Sequence, residues 1–162
     1  MKKYFQFFVL VFLLTGCHLS KFPIDESPAV KIDARLLGNW SDKTKDGDQY
    51  ILSRKNDYQY NVLIKEKKGK KADKPETYIA YLSTVNSSTF LNVHGKDDDS
   101  GDRYLFIRIL DLDANGKKMK MTSVADTTME DLNSSLEVRS YITKNMDNPA
   151  FYHDTTWFYK VK

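Results

Sequence analysis

Cysteine occurs once in the 162 residues, at Cys17. That excludes an intramolecular disulfide framework and any metal site built on several thiolates. Charge of one sign is lacking too: 25 Lys+Arg stand against 22 Asp+Glu, a net of +3, which excludes a broadly basic nucleic-acid binder. The longest apolar run, from Tyr4 to Leu14 with only Gln6 interrupting, falls well short of the roughly 20 residues a bilayer span needs. Histidine is scarce, with His18, His94 and His153 the only three. No G-x-S-x-G, H-E-x-x-H or paired-cysteine arrangement is present. His153 stands beside Asp154, but consecutive strand residues face opposite ways, so a surface histidine is expected there. No catalytic residue is assigned; the chain reads as non-enzymatic and without cofactor.

What is present begins with an address. Lys2 and Lys3 precede the apolar run, the layout of a secretory h-region. No A-x-A-like site follows, and the run ends in Leu14-Thr15-Gly16-Cys17. This tetrapeptide resembles the lipobox of bacterial lipoproteins at all four positions. The resemblance implies diacylglycerol on the Cys17 thiol, cleavage before Cys17, and acylation of the new amino terminus, palmitate being the expected chain type. Residues 1–16 are then a discarded signal peptide. Each buried acyl methylene contributes about 0.8 kcal/mol, and more than one chain anchors stably. The residue after Cys17 is His18 and not Asp. By resemblance to Gram-negative lipoproteins this implies the outer membrane, on its periplasmic or surface face; in a Gram-positive cell the anchor would sit on the outer plasma membrane.

Residues 17–33 hold Pro23, Pro28 and alternating charges without periodicity, and read as a lipidated terminus followed by a flexible tether. Fully extended, its sixteen residues after Cys17 would reach roughly 55 Å. Residues 34–162 form the folded domain.

Short runs rich in Tyr, Val, Ile, Thr and Trp fill that domain, separated by turn residues. Eight strands are expected: Leu37–Asp42, Asp48–Arg54, Asp57–Glu66, Thr77–Thr84, Ser88–His94, Arg103–Leu112, Lys117–Val124 and Thr155–Val161. Tyr58, Tyr60, Val62 and Ile64 share one face of the third strand, and Trp157, Tyr159 and Val161 one face of the last. Asn115-Gly116 signals a two-residue hairpin. Ser134-Ser135-Leu136-Glu137 reads as a capping box opening a helix, with Leu136, Arg139, Ile142 and Met146 at near-helical spacing and Pro149 beyond its stop. A shorter helical turn is expected after Thr127.

Eight hairpin-linked strands close into an antiparallel up-and-down barrel, with the helix before the last strand. The first, third, fifth and seventh links are long and the others tight, so one rim carries the long loops. The first strand leaves from the tight-turn end. A tether attached there would point the loop-rich mouth away from the membrane.

Gly38-Asn39-Trp40 resembles the Gly-x-Trp of lipocalins, whose Trp plugs the closed barrel end. The likeness implies a small lipocalin-like barrel. Ala125-Asp126-Thr127 only echoes the family's Thr-Asp loop. The family's closing Arg has no counterpart, since Arg139 falls on the helix and Lys160 is not Arg.

Trp40, Tyr58, Tyr60, Met119, Met121, Trp157 and Tyr159 are expected to line the barrel interior. An eight-stranded barrel is either filled by its side chains or holds one small ligand. Two functions follow: a lipid-anchored envelope protein binding a small apolar ligand, or a partner protein or glycan, at its mouth; or an interaction or inhibitor module with a filled barrel. Asp111-Leu112-Asp113 opens like a calcium loop, but Thr122 stands where the bidentate Glu belongs, and a hairpin turn explains it. The run containing Asp97 and Asp99 reads as a solvated acidic loop. No metal is assigned to either. Lys65, Lys67, Lys68, Lys70, Lys71 and Lys74 make a basic loop without the aromatics of a nucleic-acid site.

Overall fold

The computed structural model describes residues 19–42, 48–65, 76–95 and 103–161. Cys17, the basic run from Lys67 to Lys74, Asp97 and Asp99 lie outside them. The eight expected strands form β1 (Gly38–Ser41), β2 (Gln49–Arg54), β3 (Gln59–Lys65), β4 (Glu76–Val85), β5 (Ser88–Gly95), β6 (Tyr104–Leu112), β7 (Lys118–Val124) and β8 (Tyr152–Val161). Each pairs antiparallel with its neighbour in sequence, and β1 pairs with β8 to close the barrel. Closure leaves no exposed sheet edge. The links β2–β3, β4–β5 and β6–β7 lie at one end, here the base; the other links lie at the mouth.

Two apolar clusters lie on opposite sides of the sheet. Inside the barrel, Trp40, Leu52, Tyr60, Val62, Ala80, Leu82, Leu91 and Met119 are buried. Outside it, Phe90 and Phe106 are covered by helix α1 (Ser135–Asn145) through Val138, Ile142 and Met146. The Ser134 hydroxyl accepts from the Glu137 N–H at 3.2 Å. Glu137 reaches back one residue further than a standard capping box, accepting from the Asn133 N–H at 2.9 Å. Leu136 does not join the apolar stripe: it is 74% exposed, and the buried face starts from Ser135 and Val138. The short turn ahead of α1 is a 3-10 helix, Thr127–Glu130, capped by the Asp126 side chain.

The β6–β7 hairpin is not a two-residue turn. Asp113 accepts from the Gly116 N–H through its carbonyl and from the Lys117 and Lys118 N–H groups through its carboxylate, at 2.6 and 3.2 Å. Of Asn115 and Gly116, only Gly116 has positive φ, +61°, so the two do not form the expected type I′ pair. A Cβ at Gly116 would lie 2.8 Å from the Arg35 carbonyl. The hairpin tip is thus pressed onto the base of the barrel.

The tether is the largest departure. Its described part, residues 19–33, is a strap laid along the barrel. Ser20 bridges to Tyr104 at the start of β6, and Val30 to Leu82 of β4. Between them Ile24 enters the outer cluster, 1% exposed, and its N–H donates to the Asn92 Oδ1 at 2.9 Å. Asn92 is itself fixed by donating to the Ser83 hydroxyl at 2.8 Å. Asp25 pairs with Arg139 of α1, and its carbonyl accepts from the Tyr81 hydroxyl at 2.7 Å. The sequence hid this because Ile24, Val30 and Ile32 are isolated apolar residues with no period. Replacing Ile24 by Ala is expected to lower unfolding stability by about 2–5 kcal/mol, read by urea denaturation. No change would mean that the strap does not contribute to the folded domain.

Candidate functional site

The base is sealed by a plug built from the residues before and after β1. A 3-10 turn, Ala34–Leu36, is capped by the Asp33 carboxylate accepting from the Arg35 N–H. Leu36 then sits under the barrel, 1% exposed. Trp40 donates its indole N–H to the Leu36 carbonyl at 2.8 Å. Tyr60 closes the other side: its hydroxyl accepts from the Asp33 N–H at 2.6 Å and donates to the Asp33 carbonyl at 3.2 Å. Burial pushes the Tyr60 phenol up to about 12. The Arg35 guanidinium beside Asp33 holds that carboxyl below its usual range.

Lys160 completes the plug. It lies opposite Trp40 in the β1–β8 register, with its ammonium 4.9 Å from the Trp40 ring centroid and donating to the Arg35 carbonyl at 3.0 Å. Gly38 makes room for it: a Cβ there would meet the Lys160 stem at 3.2 Å, and its φ of +131° disfavours any other residue.

This settles the phase of β8. Phe158 and Lys160 face inward, opposite Met119 and Trp40. Trp157 and Tyr159 face outward, and neither lines the interior as expected. Trp157 stacks under Lys118 and Lys120, whose ammonium groups lie 3.7 and 5.5 Å from its ring centroid. The expectation failed because β8 is apolar in both phases, and its one inward lysine mimics a solvent-facing position. Tyr58 is not inside either; it lies in the β2–β3 turn, 38% exposed. Trp40, Tyr60, Met119 and Met121 are brought together inside.

Above the plug the interior changes character. Tyr50, Ile64, Tyr78, Val93, Met121 and Phe158 pack on the buried core but remain half-buried. Tyr50 and Phe158 meet edge to face at 5.5 Å. The Tyr78 hydroxyl donates to the Glu76 carboxylate, and burial, with that carboxylate beside it, pushes the phenol up to about 12. These half-buried apolar side chains line the upper part of the barrel interior, here termed the cup, above a base of buried ones. Sequence periodicity finds its β3 and β7 walls; Phe158 and Tyr78 needed the register.

Two other features are polar. A cleft of about 520 Å³ lies outside the cup at the base, lined by residues including Lys31, Asp33, Arg35, Ser88 and Asp111. The His153 Nδ1 lies 2.8 Å from the Asp154 carboxylate. These neighbours meet, against simple alternation, because Asp154 has a φ of +55° at a bulge in the β7–β8 register. Both are well exposed, and the Ser123 hydroxyl donates to the His153 carbonyl. Asp111 is exposed, and the Asp113 carboxylate is occupied by the hairpin backbone. Among the described residues no three acidic, His or Cys side chains gather around a common point.

Compared with models of known protein families, with curated proteins and with solved structures, the chain matches none.

The raised Tyr60 and Tyr78 phenols set an alkaline limit. A free tyrosine ionises near pH 10, so between about 10 and 12 the unfolded chain has lost protons that the folded one keeps. The contribution of these two phenols to stability is expected to be constant between neutral pH and about pH 10 and to be lost as the pH rises towards 12. Phenolate absorbance and denaturation midpoints, measured together, check it; a midpoint unchanged across that window would contradict it.

Proposed function

We propose that the protein is a lipid-anchored bacterial envelope protein whose barrel binds a small apolar ligand in its cup. The single observation that carries the binding half is the half-buried apolar wall, Tyr50, Ile64, Tyr78, Val93, Met121 and Phe158, above a sealed base. A fully packed interior would leave no apolar surface to offer. Binding sites of this kind are concave and largely apolar, and filling such a wall gains roughly 25 cal/mol per Å² of apolar surface removed from water.

The anchoring half rests on the lipobox at Leu14-Thr15-Gly16-Cys17 behind a short basic and apolar leader. No helix among the described residues is long and apolar enough to cross a membrane, and the acyl chains supply the attachment. The activity is non-enzymatic in this reading, which follows the lack of a catalytic motif in the sequence.

A second reading is an interaction module of the envelope, meeting a protein or glycan instead of holding a small molecule. What favours it is the polar cleft at the base, whose lining holds ammonium, guanidinium and carboxylate groups.

Native mass spectrometry of the mature chain carrying Cys17→Ser separates the two. A co-purified apolar molecule, lost when Tyr78 and Val93 are replaced by Asp, supports the carrier. A bare protein mass, with no uptake of added fatty acid or hydrophobic dye, sinks it. Cys17→Ser is also expected to move the protein from the membrane to the soluble fraction on cell fractionation; continued attachment would refute the anchor.

A further inference from the structure

The chain enters the fold at the mouth and not at the base. Ser20 exchanges two backbone hydrogen bonds with Tyr104, of 3.0 and 2.8 Å, and Tyr104 is the first residue of β6, at the mouth end. From there the strap descends. Ile24 is held at Asn92, Val30 pairs with Leu82, and the Ile32 N–H donates to the carbonyl of Asp57 in a base turn at 2.9 Å.

Covalent reach then fixes where an anchor can sit. Cys17 is three residues from Ser20, a span of at most roughly 11 Å. The β6 strand from Tyr104 to Leu112 covers roughly 27 Å at the usual rise. An anchor at Cys17 is therefore tied to within that span of Ser20, which is held at the mouth end of β6. A free tether would have reached past either end.

We propose that the mouth end of the barrel is the face apposed to the lipid bilayer, held there by the strap. The proposal rests on the reading of Cys17 as the lipid-bearing residue. It reverses the orientation expected from a tether leaving the base. Lys21 and Phe22 follow directly on Ser20 and are both exposed. An ammonium and an aromatic ring beside an anchor suit the phosphate and interfacial layers respectively.

The test uses the lipidated full-length protein in phosphatidylethanolamine–phosphatidylglycerol vesicles that contain a headgroup-nitroxide lipid. Acylation consumes the Cys17 thiol, so one new cysteine carries a fluorophore. Lys65→Cys and Glu76→Cys place it at the mouth; Asn56→Cys and Ser87→Cys place it at the base. All four positions are exposed. Quenching at least threefold stronger at the mouth positions is expected. Equal or stronger quenching at the base overturns the orientation.

Flotation of the same samples tells the two failures apart. Protein that does not float overturns the lipid reading, and the orientation with it. Protein that floats but is quenched from the base overturns the orientation alone. Inserting ten Gly and Ser residues between Leu19 and Ser20 gives a flexible span of roughly 18 Å and is expected to erase the mouth–base difference. A difference that survives the insertion overturns the strap as its cause.

Discussion

The indole N–H of Trp40, donated to the Leu36 carbonyl, joins the weakest seam of the barrel to the turn that seals it. The β1 strand has only four residues and meets β8 over three paired positions. Backbone pairing that short is a poor closure by itself, since a strand's hold grows with its ladder and its cross-strand contacts. Trp40 adds what the ladder lacks. It is fully buried, and its ring is the platform for Lys160, which comes from the strand that must close against it. Lys160 in turn donates to the Arg35 carbonyl, on the turn whose end carbonyl receives the indole N–H. First strand, last strand and plug are thus held by one residue.

Lysine in that place asks more of its surroundings than arginine would. A guanidinium presents a planar fork that stacks on an indole while bonding two carbonyls; an ammonium is a point charge on a flexible stem. The rest of the base supplies the missing rigidity. Tyr60 clamps both backbone groups of Asp33, Asp33 and Arg35 pair side by side, and the Gly116 turn lies close against the Arg35 backbone. Each is a local contact, and together they fix the residue whose carbonyl Lys160 needs.

The strand count, the parity of the links and the helix before β8 were legible because they rest on local signals: alternation, turn residues and a Ser134 cap. Trp40 and Tyr60 were legible as interior for the same reason. What escaped depends on partners distant in sequence. Trp157 and Tyr159 look inward by alternation, yet face out, because Phe158 and Lys160 must match Met119 and Trp40 across two seams. Lys118 and Lys120 then cover Trp157 with their stems and charges, which makes an outward aromatic tolerable. The strap escaped for a related reason. Three isolated apolar residues carry no period, and the Asn92 amide that receives Ile24 lies 68 positions away.

If the cup holds a ligand, as proposed, a base that is sealed leaves the mouth as its route of exchange. In this barrel the plug rules out passage by the base, since Leu36, Trp40 and Tyr60 there are all but fully buried. If the mouth lies against the bilayer, as we propose, a ligand that partitions into lipid reaches the apolar wall without crossing water. The cost of exposing its apolar surface to water on the way is then avoided, because both compartments are apolar. The same geometry disfavours polar ligands, which would have to enter between the rim and the headgroups. If both proposals hold, the orientation and the chemistry of the cup wall favour the same class of molecule, the one through the strap from Ser20 to Ile32, the other through Tyr50, Tyr78 and Phe158.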